Sequence, residues 1–156
     1  MPYSSEFILL LHPALGVLAI MASIWTFVEL LNAKSQNLVR MRLASVTSAI
    51  LMWATYIVAG YWYVTLYAAD KALIKAGPWP LAHGLFMETK EHVFFMVLLL
   101  ATLLPIATFS DVLGRRGVRH LAMWIAALVV LTGLAMEGSG AIISMGAKLA
   151  LLAKTA

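Results

Sequence analysis

Four stretches of about 20 or more predominantly apolar residues dominate this chain, and each is long enough to cross a hydrocarbon core of roughly 30 Å as a helix. In a sequence of 156 residues they leave no room for a separate soluble domain. With 63% hydrophobic and only 12% charged residues, the composition is that of an integral membrane protein. The spans fall at about 5–31, 43–68, 81–109 and 121–152, giving one domain. The first stretch has no basic residue before it and outruns the core of a signal peptide, so it reads as a retained span.

The net charge of +4 is better explained by topology than by nucleic acid. All five arginines, together with Lys34, fall in two short connections, Asn32 to Arg42 and Ser110 to His120. By the positive-inside rule those connections are cytoplasmic. The expected architecture is an all-α four-transmembrane-helix bundle with both termini outside, multi-pass in the cell inner membrane if the source is bacterial. The stretch Gly77 to His92 is then periplasmic. Tyr56, Tyr61, Trp62, Tyr63 and Tyr67 form the aromatic belt expected where span two meets the headgroups. Asp70 to Pro80 reads as a loop, because Pro78 and Pro80 forbid a continuous helix, and Pro105 is expected to kink span three.

Helix rise, about 1.5 Å per residue, turns each cytoplasmic end into a depth ruler. Counting about 20 residues outward from Asn32, Phe109 and His120 reaches His12, the vicinity of Lys90, and Glu137 to Gly140. His12, His92 and Glu137 thus lie at one level beneath the outer surface. His83 precedes His92 by nine residues, about 13 Å further out and on nearly the opposite face of a continuous helix. It is the lesser candidate and reads more plainly as a loop or interfacial residue.

There is no cysteine, which excludes thiolate-ligated clusters and covalent haem attachment. Two histidines at equal depth on different helices are what a bundle needs to hold one haem b between them, His12 and His92 binding the iron from either side. Gly16, Gly138 and Glu137 would line the pocket. The plainer reading of each histidine is a hydrogen bond in the interface, and of each glycine close helix packing. Glu29 reads as a carboxylate reaching cytoplasmic water, His120 as a headgroup contact, and Glu88 with His92 as an i, i+4 pair in which a carboxylate orients the imidazole.

The run Leu11-His12-Pro13-Ala14-Leu15, a second histidine at the start of span three and a glycine-rich end to span four around Glu137 resemble a group of small bacterial four-helix membrane proteins. More loosely they are similar to the b-type cytochrome subunits that anchor redox enzymes. That resemblance implies haem ligation at His12 and His92 and electron exchange with quinone. With no histidine pair on the cytoplasmic side, it does not extend to a two-haem wire. The expected function is therefore a membrane electron-transfer subunit with one haem near the outer side, working with other membrane or periplasmic redox subunits and not catalytic alone. Two alternatives stand beside it. One is a non-redox structural or assembly subunit of a larger complex; the other is a metal or proton site built from His12, His83, Glu88, His92 and Glu137.

Overall fold

The computed structural model describes the backbone of residues 2–155 and the side chains of residues 7–155; among these every regular element is helical. Helix α1 spans Pro2–Leu31, α2 Leu38–Thr65, α3 Tyr67–Ala76, α4 Glu88–Phe109 and α5 Arg116–Thr155. A π-helical turn, Ala82–Met87, leads directly into α4. Four helical segments are long and apolar enough to cross a membrane: Phe7–Leu31, Ser35–Thr65, Ala82–Phe109 and Arg116–Thr155. They pack in a ring in the order α1, α2, α4, α5, with α5 closing back on α1.

Small side chains let the helices approach. Ala19, Ala44, Ala101, Ala122 and Ala126 are fully buried where neighbouring helices meet, the device that membrane bundles use when lipid offers no hydrophobic gain from association. Polar side chains then join the helices in pairs. Ser23 on α1 shares a 2.6 Å hydrogen bond with Ser48 on α2, and Ser45 on α2 shares one of 2.8 Å with Thr108 on α4. Large apolar side chains such as Leu10, Ile57, Leu99 and Trp124 point outward, as a lipid-facing surface requires.

The α1–α2 connection is held by Asn37. Its side-chain amide donates to the Glu29 carbonyl at 3.0 Å, to Glu29 Oε2 at 2.8 Å and to the Asn32 carbonyl at 3.1 Å, while its Oδ1 accepts from the Lys34 N–H at 2.7 Å. Carbonyls left free at the end of α1 thereby find a donor. Glu29 is part of this lock: it pairs with Arg40 at 3.2 Å and accepts from Trp25 Nε1 at 3.1 Å, so it is tied into the hairpin rather than simply reaching water.

Two boundaries differ from the sequence reading. Span two stops at Thr65, where Leu66 leaves the helical conformation while its N–H still bonds the Trp62 carbonyl at 2.8 Å. The expected loop from Asp70 to Pro80 is instead mostly helix. Helix α3 buries Tyr67 and Ile74, seven residues apart on one face, and turns Ala68, Ala69 and Lys75 outward. Pro78 and Pro80 constrain only the residues next to them, so they end the helix at Gly77 and do not prevent it. Helix α4 continues through Pro105.

Candidate functional site

A cleft opens among α1, α2, α4 and α5 toward the end of the bundle that holds both termini. Each helix presents one stripe to it: His12, Gly16 and Ile20 from α1; Met52 and Thr55 from α2; Lys90, Phe94 and Val97 from α4; Gly133, Met136 and Glu137 from α5. Spacings of three and four residues put each set on a single helix face. The cleft has a cavity of about 10 Å³, room for roughly one water molecule. Its polar groups are one imidazole, one ammonium, one carboxylate and one hydroxyl.

Glycines set the position of the charged groups. The Glu137 carboxylate lies against Gly16, where a Cβ would collide with Oε1, and Lys90 Nζ sits 3.1 Å from where a Cβ on Gly140 would be. Lys90 and Glu137 line the same cleft, yet they are not within ion-pair distance among the contacts described. The His12 Nδ1 atom is buried and has no hydrogen-bond partner. A buried polar atom left unpaired costs on the order of 1–3 kcal/mol.

Of the residues expected to form a haem pocket, the structure brings His12, Gly16 and Glu137 together. His92 lies elsewhere. It is exposed, its Nδ1 bonds the Glu88 carbonyl of its own helix at 2.6 Å, and Lys90 occupies the cleft-facing position. Two residues along a helix correspond to a rotation of about 200°, so the face that offers Lys90 to the cleft turns His92 away from it. Gly138 also faces outward, with open space where a Cβ would stand. His120 is exposed on the first turns of α5.

His83, expected in a loop or at the interface, is fully buried. The Tyr67 hydroxyl and His83 Nδ1 share a hydrogen bond of 2.9 Å, and His83 Nε2 lies 4.0 Å from Glu88 Oε1. Tyr67 is itself wedged between aromatic rings, 4.9 Å from Trp62 and 5.3 Å from Tyr63 between centroids. Burial, with Tyr63, Glu91 and Asp70 adding to it, holds the Tyr67 phenol well above its ordinary pKa, so it stays protonated. The Glu88 N–H bonds the His83 carbonyl five residues back. That i to i+5 bond defines the π turn, and it stacks His83 above Glu88; an α-helix would splay two such residues by about 140°.

Sequence reasoning missed two features. Lys90 was only a depth marker, although Lys90, Phe94 and Val97 share one helix face. The π turn has no sequence signature in the chain. Among the described residues, no three His, Asp or Glu side chains close around a common point in the manner of a complete metal site. No family model, no curated protein and no solved structure matches the chain.

Proposed function

We propose that this chain is a multi-pass membrane subunit whose cleft, built from His12, Lys90 and Glu137, takes up and releases protons inside the bilayer. The observation that carries this reading is the presence of a base, an acid and an ammonium in one cleft of four apolar helices, with His12 Nδ1 unpartnered. Ionisable groups at such depth are costly to keep, and they mark ion or proton pathways by default. A proton needs no more space than the cleft provides, and a single water can bridge groups that do not touch. With the arginine-bearing connections cytoplasmic, the cleft lies in the outer half of the membrane, periplasmic in a bacterium, where a larger redox or transport complex would exchange protons through it.

The test is infrared difference spectroscopy of the protein in lipid nanodiscs between acid and alkaline pH. A carboxylic-acid carbonyl band that titrates in the wild type and is missing in Glu137→Gln supports the proposal. Identical difference spectra in the two proteins would remove it.

One observation favours a second reading, a subunit with haem b and electron exchange with quinone. A buried imidazole nitrogen without a partner, as at His12 Nδ1, is the kind of atom that haem iron takes as an axial ligand. The residues present do not fit the group as they stand: the cleft opposes His12 with Lys90 and Glu137 rather than a second histidine, and its cavity of about 10 Å³ holds a water and not a macrocycle. Ligation by His92 would require α4 to turn its exposed face inward. A pyridine haemochrome assay on the purified chain decides the matter, with His12→Ala and His92→Ala reporting each ligand.

A further inference from the structure

We infer that the concavity at the α1–α2 connection, between Lys34 and Arg40, holds the headgroup of one anionic phospholipid. Its volume is about 380 Å³, within the roughly 300–1,000 Å³ in which small ligands are held. Val28, Glu29 and Asn32 line it from the end of α1, and Lys34, Gln36 and Arg40 from the connection and the first turn of α2. The arginine-bearing connections mark this end as cytoplasmic, and the cytoplasmic leaflet is the one that carries anionic lipid.

Charge and position choose the occupant. The Glu29 carboxylate is already satisfied inside the hairpin: Oε1 meets Trp25 and Arg40, and Oε2 accepts from Asn37. Its side chain is 13% exposed, against 63% for Arg40, so the face turned to water is cationic. Arg40 meets Glu29 through Nε, and among the described residues no ion pair involves its terminal nitrogens or Lys34. A guanidinium edge of that kind takes two phosphate oxygens at once, and an ammonium beside it adds a point charge. Arg42 and Arg119, at the same end, are engaged elsewhere. Arg42 donates to the Thr108 carbonyl at 3.4 Å and lies over the Phe109 ring, and Arg119 bonds the end of α1. Asn32 and Gln36 are exposed and offer amides to headgroup hydroxyls. The surface below selects a lipid over a free phosphate. Met21, Trp25 and Val28 follow one another at helical spacing on α1, exposed and apolar, and lead from Glu29 into the bilayer as a track for the acyl chains.

The experiment is native mass spectrometry of the untagged, full-length protein in mild detergent, titrated with phosphatidylglycerol, with phosphatidylcholine and with glycerol 3-phosphate, which has the phosphate but no acyl chains. One phosphatidylglycerol should be retained at concentrations where phosphatidylcholine is not. Lys34→Gln removes a cation but keeps the hairpin hydrogen bonds, since only the Lys34 backbone enters them. It should weaken retention about fivefold, the effect of one cation near the membrane surface. Arg40→Lys keeps the charge and loses the fork, and should weaken it at least as much. Arg116→Gln makes the same charge change at an exposed arginine outside the concavity and should bind as the wild type does. Helical circular dichroism checks each variant, and Lys34→Gln carries the test if Arg40→Lys fails to fold. Equal retention of the two lipids, or equal affinity in Lys34→Gln and Arg116→Gln, overturns the assignment in favour of general charge attraction. Glycerol 3-phosphate held as tightly as the lipid overturns it in favour of a soluble anion. Because the cleft residues take no part, this outcome is independent of the proton reading.

Discussion

Arg119, on the first turns of α5, donates from Nε to the Leu30 carbonyl at 2.7 Å and from its second guanidinium nitrogen to the Leu31 carbonyl. The C-terminus of α1 is thus capped by a side chain 89 positions away. A cation at that end also opposes the partial negative charge of the helix terminus. Arg119→Ala should lower stability by about 2 kcal/mol, because two carbonyls lose charge-assisted bonds. Unfolding in mixed micelles measures the loss. A change within a few tenths of a kcal/mol would mean that water replaces the guanidinium without cost.

Gly133 and Gly138 should respond in opposite ways to the same substitution. A Cβ on Gly133 would stand 2.8 Å from Ile20 Cγ1, and Ile20 is buried, so Gly133→Ala must push α1 and α5 apart at a cost of roughly 1–3 kcal/mol. At Gly138 the space is open. There alanine should be neutral or stabilising by up to about 1 kcal/mol, from helix propensity. Thermal midpoints of the two variants in one detergent decide the comparison, and equal shifts would contradict the packing described.

Ser45 and Thr108 join α2 to α4 with both hydroxyls buried. A double-mutant cycle with Ser45→Ala and Thr108→Val should return a coupling of roughly 0.6 kcal/mol, the usual size of a hydrogen bond between helices in a membrane. A coupling of zero would show that each hydroxyl is satisfied by its own backbone bond, to the Arg42 carbonyl and the Pro105 carbonyl respectively.

Burial pushes the Asp70 carboxyl up from its ordinary pKa. The folded state therefore holds this proton more tightly than the unfolded chain does, and the sign follows from linkage: stability rises with pH only where the unfolded state binds more protons. Asp70 does the reverse. Its contribution is most favourable below the unfolded pKa and is lost as pH rises through the higher folded value. Asp70→Asn should flatten the pH dependence of unfolding across that acid window. An unchanged profile would mean that the carboxylate is solvated in the folded state.

Much of the fold was legible because it follows from length and apolarity alone. The four spans needed no side-chain detail, and the depth ruler set His12 level with Glu137, two residues that line one cleft, since rise per residue is fixed by helix geometry. Rotation is another matter. Nothing in span three says whether the face of Lys90 or that of His92 turns inward, because α4 is apolar on nearly every side and its interior face is chosen by neighbours. Helix α3 was missed by extending the reach of Pro78 and Pro80 backward over residues that they do not constrain. His83 was placed by counting along an ideal α-helix, and the π turn breaks that count.

The π turn at Ala82–Met87 carries a consequence for how the chain tolerates change in length. The turn absorbs one surplus residue, so His83 stands over Glu88 five positions on, where an α-helix would bring residues four apart together. Gly84 sits in this turn with open space around it. Losing that single residue would restore an ordinary helix in which His83 and Glu88 stand four positions apart, still one turn above each other, and leave His12, Lys90 and Glu137 where they are. One codon fewer would thus cost the helix its π turn and leave its faces as they are.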